Sequence, residues 1–172
     1  MATVAPQMEG LPFPYRLVAA GTKVYVALAN LKLTTSQFGD FYTDPAGNGR
    51  LAVIDTAAGD AISVVDLGPG CANPSGITLD GETLWIACAG GSVLPVTITI
   101  GAPAVGDAIP TPTGVVPGNV AVCRGTGYVT DLFSGSVVSF DTVTRKTTGS
   151  AEICPTDPTA GFAFAADVAC QP

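Results

Sequence analysis

Short runs of apolar residues alternate with polar or small residues along most of the chain, and turn-forming residues separate the runs. Clear examples are 23–30 (KVYVALAN), 83–90 (TLWIACAG) and 135–141 (GSVVSFD). Alternation of this kind places apolar side chains on one face of a β-strand, and short runs bounded by glycine, proline or asparagine are typical of strands. The 21 glycines and 14 prolines favour many short strands joined by tight turns. We therefore predict an all-β chain.

Three segments repeat one pattern, in which an aromatic residue lies eleven positions after a proline. The prolines are Pro14, Pro74 and Pro117, and the aromatic residues are Tyr25, Trp85 and Tyr128. Pro74 and Pro117 lie 43 residues apart, and a truncated fourth copy begins 41 residues later, near Pro158. A period of about 40 to 45 residues is the length of a four-stranded propeller blade. The pattern predicts an all-β, β-propeller-like fold of about three and a half four-stranded blades.

A second repeat supports the same division of the chain. The segments 49–68 and 135–153 each end one apolar run at an Asp-Thr pair and resume as another strand, which predicts a hairpin. In blade two, Pro95 and Pro110 fit an edge or bulge position better than a central strand. The expected single domain, 1–172, has blade one at about 12–68, blade two at about 71–112, blade three at about 115–153 and a partial fourth unit at 154–172 with strands at 161–165 and 167–170.

The first repeat interval is longer than the others, at 60 residues, and its excess lies in 31–48. This stretch is polar and contains glycine, so we interpret it as an inserted loop, on the face of a propeller where ligand or partner sites collect. Its candidate ligand or partner residues are Gln37, Asp40, Tyr42, Asp44 and Asn48. Calcium is one interpretation, because it prefers oxygen ligands, although the spacing matches no calcium-loop template. The alternative is a solvated surface loop.

Five cysteines in a chain with few charges suggest an oxidising compartment. Cys71 precedes the first strand of blade two and Cys88 ends the second strand, while Cys154 and Cys170 hold the corresponding places in the fourth unit. Because the two strands form a hairpin, we expect the disulfides Cys71–Cys88 and Cys154–Cys170, with Cys123 unpaired or bonded to another chain. The alternatives are reduced cysteines in the core and a cysteine-ligated metal.

Composition removes several classes of function. The chain has no histidine, which excludes serine-histidine-aspartate and cysteine-histidine catalysis and histidine-ligated zinc. Seven basic and 14 acidic residues give a net charge of −7, which disfavours nucleic acid as a partner. The chain is 47% hydrophobic, yet no unbroken apolar run is long enough to span a bilayer, so we expect no membrane insertion. The first residues show no recognisable secretory signal.

Three short motifs have the form of a known repeat. Tyr128-Val129-Thr130-Asp131 differs by one residue from the tetrapeptide Tyr-Val-Thr-Asn, 25–30 is a looser copy, and Val53-Ile54-Asp55 has the form of a third strand. In these motifs, over about 12–170, the chain resembles the YVTN-type repeat β-propellers of bacterial and archaeal cell-surface and periplasmic proteins. The resemblance implies an extracytoplasmic protein, whether periplasmic, cell-surface or secreted. Such propellers normally have about six to eight blades, more than the chain itself supplies.

The leading expectation is a non-enzymatic binding or structural module of the cell surface. Because an incomplete ring leaves apolar blade faces uncovered, its expected partners are copies of itself or the remaining blades of a longer chain. Other surface proteins are a further class of expected partner. A subunit of a surface filament or layer and a metal-dependent lactonase-like hydrolase are the alternatives. In the hydrolase, side chains at the channel mouth would hold a divalent metal; the candidates are Asp40, Asp44, Asn73, Asn119 and Asp131. The last three are also candidate ligand or partner residues of a binding module. No cofactor is expected otherwise.

Overall fold

A computed structural model of the chain describes residues 10–35, 39, 41–99, 101–153 and 167–170, and their regular structure is almost entirely β. No helix in these ranges is long and apolar enough to cross a membrane. The first sheet contains β1 (Leu11–Ala20), β2 (Lys23–Thr35), β3 (Phe41–Pro45), β4 (Arg50–Asp55) and β5 (Ala61–Asp66), with a 3-10 turn at Thr56–Ala58. The second contains β6 (Pro74–Asp80), β7 (Thr83–Cys88), β8 (Ser92–Thr97), β9 (Ala104–Val105) and β10 (Ile109–Pro110). The third contains β11 (Pro117–Cys123), β12 (Thr126–Asp131), β13 (Ser136–Asp141) and β14 (Lys146–Glu152).

The three sheets share one topology, and we call them blade one, blade two and blade three. Their strand orders are β1-β2-β4-β5, β6-β7-β8-β10 and β11-β12-β13-β14, and every paired neighbour is antiparallel. Two further strands lie off these paths, since β3 pairs with β2 and β9 pairs with β8. Each blade is therefore an up-and-down sheet whose first strand in sequence lies at one edge. The first strands β1 and β11 both pack against β6.

The prolines of the repeat occupy equivalent positions at a break in the first strand of each blade. The pairing register shifts between Pro14 and Arg16, between Pro74 and Gly76, and between Pro117 and Val120. Proline has no backbone N–H to give to a ladder, so it fits a bulge where pairing is already interrupted. The aromatic residue of each repeat lies in the second strand, where Tyr25 and Trp85 are buried.

The Asp-Thr pairs lie where the predicted hairpins turn, between β4 and β5 and between β13 and β14. Thr56 donates its hydroxyl to the Thr22 carbonyl oxygen at 2.8 Å, and Thr142 donates to the Gly125 carbonyl oxygen at 2.9 Å. Both carbonyls belong to the turn between the first two strands of the same blade. The repeated threonine therefore ties the two hairpins of a blade together.

Blade two differs from the other two because its fourth strand is split. On one side, β8 pairs with β7 over its whole length. On the other side, Ser92 and Val93 pair with β10, while Val96 and Thr97 pair with β9. Pro95 lies between these two short ladders and has no N–H to donate, which explains why the outer strand is interrupted opposite it. Its carbonyl oxygen still accepts a hydrogen bond from the Gly106 N–H at 2.9 Å.

Two apolar layers hold the blades together. The first joins blade one to blade two and includes Tyr25, Leu51 and Val53 on one side and Leu84, Ile86, Leu94 and Val96 on the other. The second joins blade two to blade three and includes Trp85, Ala87, Val93 and Ile109 against Val120, Val129 and Phe140. The rings of Trp85 and Phe140 lie 5.2 Å apart between centroids. Blade two is therefore buried on both faces.

The structure corrects the interpretation of 31–48 as a loop. β2 continues to Thr35 and pairs with β3, from Leu31 opposite Pro45 to Thr35 opposite Phe41. Leu31 and Leu33 alternate with polar residues in the manner of a strand, and the hairpin gives this backbone its hydrogen bonds. Gln37 and Asp40 lie outside the described residues.

The cysteine pairing also differs from the expectation. Cys71 is bonded to Cys88, the expected pair, with Cα atoms 5.0 Å apart. Cys170, however, is bonded to Cys123 over a Cα distance of 5.8 Å, so the expected Cys154–Cys170 disulfide and the unpaired Cys123 are wrong. The expectation assumed that the fourth unit repeats the hairpin of blade two. Instead, 167–170 forms no strand and lies beside β11, whose last residue is Cys123. Cys154 and 161–165 lie outside the described residues.

Candidate functional site

The first strands of the three blades converge around three equivalent positions. Arg16, Gly76 and Asn119 each lie two residues after the repeated proline. A Cβ atom on Gly76 would lie 2.8 Å from the Asn119 Cα, which shows how closely β6 and β11 approach. The Ser75 hydroxyl donates to the Pro117 carbonyl oxygen at 2.6 Å and ties the same two strands. The glycine and the serine hydroxyl thus permit a tight junction of blades two and three.

A cleft of about 360 Å³ opens beside this junction. It lies where the first strands of the blades begin and the second strands end, which is the face expected to bind ligands. Its lining residues are Tyr15, Arg16, Asn73, Ser75, Ala89, Gly118 and Leu132. Tyr15 and Arg16 belong to blade one, and Gly118 and Leu132 belong to blade three or the loop after β12. The other three residues lie in blade two or next to its strands. The site is therefore built from all three blades.

Asn73 lines the cleft and carries an unsatisfied polar atom. Its backbone carbonyl accepts a hydrogen bond from the Ala89 N–H at 2.7 Å, which fixes the backbone. Its side-chain Oδ1 is buried and has no hydrogen-bond partner among the described residues. Trp85 Nε1 and Thr111 Oγ1 share this property but do not line the cleft. A buried acceptor without a donor destabilises the fold, so Asn73 needs a donor from outside the described chain.

Arg16 stands between this cleft and a second one of about 380 Å³ that the segment 167–170 lines. The Arg16 Nη2 atom lies 3.5 Å from the Asp167 Oδ2 atom, and both side chains are exposed. The Asn119 amide also donates to the Asp167 carboxylate. An exposed ion pair contributes little to stability, so the Arg16 guanidinium can exchange Asp167 for another acceptor at small cost.

Asp131 was a candidate for the channel mouth, and its carboxylate is used within blade three. It is buried, and it accepts hydrogen bonds from the N–H groups of Val116 and Phe133, both at 3.2 Å, and from the Ser134 hydroxyl at 2.8 Å. These contacts order the loop after β12. Asp131 is therefore a structural residue in this arrangement.

Of the candidates from 31–48, Asp44 and Asn48 are described with their side chains, and neither lines the cleft. Asp44 accepts a hydrogen bond from the Thr34 hydroxyl at 3.3 Å across the β2–β3 hairpin, and the backbone of Tyr42 also pairs with Thr34. The Asn48 amide donates to the Asp66 carboxylate at 3.1 Å. Among the predicted ligand or partner residues that the structure describes, Asn73 lines the first cleft and Asn119 lines the second.

The sequence prediction missed the cleft residues Tyr15, Arg16 and Ser75. A signal was available, because Arg16 follows the repeated Pro14 at the position that Asn119 holds after Pro117. Asp167 was missed because its place depends on the path of the chain after blade three, which no local pattern reports.

The titratable side chains in the described ranges form no further candidate site. They contain no group of three or more histidine, cysteine, aspartate or glutamate side chains arranged to hold a metal ion. Two groups outside the cleft have shifted pKa values. Burial first, and the charge of Asp55 second, raise the pKa of Tyr25, whereas hydrogen bonds from Thr144 lower the pKa of Asp141.

The sequence matches no known protein family and no curated protein. Solved structures resemble the chain at low sequence identity. The structure of apo AztD from Citrobacter koseri superposes with a TM-score of 0.50 at 14% identity, over 81% of this chain and 47% of that chain. The fold is propeller-like. A structure titled as a nidogen/laminin complex matches with a TM-score of 0.45 at 15% identity, over 75% of this chain and 59% of that one. The chain thus spans less than two thirds of either.

Proposed function

We propose that the chain is a non-enzymatic, extracytoplasmic propeller-like module that binds a ligand or partner in the cleft between Arg16 and Asn73. The observation that carries the proposal is the buried Oδ1 of Asn73, an acceptor without a donor in a residue that lines a cleft. Buried polar atoms are almost always hydrogen-bonded, so such an atom at the wall of a cleft is a natural contact for a ligand.

The cleft defines the chemistry of what it binds. Asn73 Oδ1 requires an N–H or O–H donor, and the Arg16 guanidinium, which lines the same cleft, offers donors to an oxygen acceptor. Tyr15 is 52% exposed and presents an aromatic face beside them. The Ser75 hydroxyl is already used by the Pro117 carbonyl. The expected occupant is therefore a polar group that carries a donor and an acceptor close together, such as a sugar or a peptide unit.

Two disulfides support an extracytoplasmic location, because such bonds persist in oxidising compartments. The resemblance to YVTN-type repeats supports the same location and a cell-surface or periplasmic setting. The partners we propose are copies of the chain or the remaining blades of a longer protein, with other surface proteins as further partners. Nucleic acid is not among them, given the net charge of −7. The proposal requires no cofactor.

The test is an NMR titration of the isotope-labelled chain with two probes, glucose and N-acetylglycinamide, which each carry donors beside acceptors. At least one probe should shift the resonances of Asn73, Ala89 and Gly118. The variants Asn73→Ala and Arg16→Ala should each weaken that binding about tenfold, the loss expected for one hydrogen bond to a charged or buried group. Asn48→Ala removes a matched amide outside the cleft and should leave binding unchanged. If neither probe shifts the cleft, or if Asn73→Ala binds as the wild type does, the proposed site is wrong.

A further inference from the structure

The segment 167–170 places a carboxylate between two donors from different blades. The Asn119 side-chain amide of blade three donates to the Asp167 carboxylate, and Arg16 Nη2 of blade one lies 3.5 Å from Asp167 Oδ2. All three residues line the second cleft, whose volume is about 380 Å³. One chemical group, a carboxylate, is therefore already bound between Arg16 and Asn119.

Asn119 is a rigid donor for this carboxylate. The residue is 5% exposed, and its backbone N–H donates at 3.0 Å to the hydroxyl of Thr130, which is fully buried. Its Oδ1 lies against β6, since a Cβ atom on Gly76 would come within 2.8 Å of it. An ionised carboxylate only accepts hydrogen bonds, so it takes the Asn119 N–H₂ group as its donor. A buried donor without an acceptor destabilises the fold, so this position needs an acceptor.

The rest of the second cleft favours an anion over a cation. Apart from Asp167, the described residues that line it include one charged side chain, Arg16, and no acidic one. Most of the others are small or aliphatic, such as Ile77 and Val120. An external carboxylate on Arg16 and Asn119 would restore both contacts that Asp167 makes, whereas a cation or an apolar group would leave both donors without an acceptor.

The Cys123–Cys170 bond is the covalent tie that keeps Asp167 in this cleft. Residues 167–170 form no strand, and the ion pair with Arg16 is exposed, so it contributes little by itself. The bond fixes the chain to β11 only three residues after Asp167. The Asp167 carboxylate is therefore an intramolecular competitor of any free carboxylate.

The two disulfides differ in exposure. Cys71 and Cys88 are 0% exposed, whereas Cys123 and Cys170 are partly exposed. Thiol–disulfide exchange requires the attacking thiolate to reach a sulfur atom, so a reductant in solution reacts with the Cys123–Cys170 bond first.

We propose that Arg16 and Asn119 form a binding site for an external carboxylate, which Asp167 blocks while the Cys123–Cys170 bond is intact. A dithiol reductant supplies two electrons and two protons, so the bond becomes two cysteine thiols and the dithiol becomes a disulfide. The segment then loses its covalent attachment to β11, and an external carboxylate can replace its own. This inference goes beyond the proposed function, because it concerns the second cleft and a different ligand, so either can fail alone.

The first test is an NMR titration of the isotope-labelled, oxidised chain with sodium acetate at constant ionic strength. Asp167→Ala keeps the disulfide and removes the competing carboxylate. In this variant acetate should shift the Asn119 side-chain amide resonance and bind at least about threefold more tightly than in the wild type. Asp107→Ala removes an exposed carboxylate outside the cleft and should not change the affinity. If Asp167→Ala gives no gain, or if the gain survives the further change Arg16→Ala, the carboxylate site is wrong.

The second test follows stepwise reduction of the wild-type chain with dithiothreitol. Peptide mapping should find Cys123 and Cys170 reduced while Cys71–Cys88 is still bonded. In that state the chain should bind acetate as tightly as oxidised Asp167→Ala does. Earlier reduction of Cys71–Cys88, loss of the folded NMR spectrum, or an unchanged acetate affinity would each show that the bond does not control the site.

The reduced chain also distinguishes a peptide from a small free carboxylate. The peptide Ac-Asp-Val-Ala-NH₂ copies residues 167–169, in which Val168 is half-buried. If the site takes an acidic residue of a peptide, this probe should bind roughly three to ten times more tightly than acetate, the gain expected from half-burying one valine side chain. Equal affinities assign the site to small free carboxylates. Equally tight binding of the neutral peptide Ac-Asn-Val-Ala-NH₂ would show that no carboxylate is recognised and would overturn the proposal.

Discussion

Cys170 is bonded to Cys123, and the bond holds residues 167–170 beside the first strand of blade three. Within this short segment, the Asp167 carboxylate accepts a hydrogen bond from the Asn119 amide and pairs with Arg16 of blade one. The segment thus bridges the first and last blades along the edge where their first strands converge. Because the cysteines are 47 residues apart, the bond also closes a long loop that contains most of blade three.

Removal of this bond should destabilise the protein substantially. In the chain-entropy model a disulfide over 47 residues contributes about 4 kcal/mol to the free energy of unfolding. We expect a loss of this order for the double variant Cys123→Ser with Cys170→Ser, measured by guanidinium unfolding without reductant. Cys154→Ser is the matched control, and it should change little because it leaves both observed bonds intact. A large loss for Cys154→Ser with little loss for the double variant would contradict the Cys123–Cys170 bond.

The blades were predictable from the sequence because their signals are local. A proline that interrupts the first strand and an aromatic residue that fills the gap between blades recur at a fixed separation, and each constrains only its own hairpin. The division at Pro74 and Pro117 follows directly from that spacing. Pro95 and Pro110 were expected at an edge or bulge position; Pro110 lies in the edge strand β10, whereas Pro95 lies in β8, inside the sheet, opposite the break between β9 and β10.

The errors concern either weak strand patterns or contacts distant in sequence. The hairpin of β2 and β3 was predicted as a loop because its polar composition outweighed the alternation of Leu31 and Leu33. The partner of Cys170 could not be inferred by analogy with blade two, because 167–170 does not repeat the strand that carries Cys88. Arg16 and Asn73 come together only when blade one packs against blade two. Tertiary arrangement, and not local propensity, determines these features.

The close approach of β6 and β11 predicts that any side chain at position 76 lowers the stability of the fold. A Cβ atom there would lie 2.8 Å from both the Cα and the Oδ1 of Asn119, closer than atoms can pack. We expect Gly76→Ala to lower the free energy of unfolding by about 1 to 3 kcal/mol, the usual cost of overpacking. Gly149→Ala is the matched control, since its Cβ would meet only the Ser139 Oγ at 3.5 Å. Equal stability of the two variants would contradict the observed packing.

Phe140 should be the largest single contributor to the joint between blades two and three. It is 2% exposed, its ring lies 5.2 Å from that of Trp85, and it covers Gly127, whose missing side chain leaves room for the ring. Phe140→Ala should cost about 3 to 5 kcal/mol by chemical denaturation and should alter the Trp85 fluorescence. Phe133→Ala removes a ring that is 65% exposed and should cost less than about 0.5 kcal/mol. A mild effect of Phe140→Ala would mean that blade three does not pack on Trp85.

The turn between β13 and β14 should make stability depend on pH through Asp141. Hydrogen bonds from Thr144, first its backbone N–H at 2.6 Å and then its hydroxyl, lower the pKa of the Asp141 carboxyl below 3.8, and the Val143 N–H at 3.0 Å adds to them. A carboxyl whose pKa is lower in the folded state stabilises the protein above its unfolded pKa, and the contribution disappears as the pH falls through the folded pKa.

The expected result is therefore a titration midpoint for Asp141 below its ordinary value when the carboxyl is followed by carbon-13 NMR. The free energy of unfolding should fall on acidification below about pH 4, and Asp141→Asn should reduce that fall because an amide does not ionise. The variant retains a side-chain oxygen that can accept the Thr144 and Val143 N–H groups, so its turn should remain formed at neutral pH. A midpoint at or above the ordinary value would show that the turn does not hold the carboxylate in solution, since hydrogen bonds that favour the ionised form cannot leave its pKa unchanged.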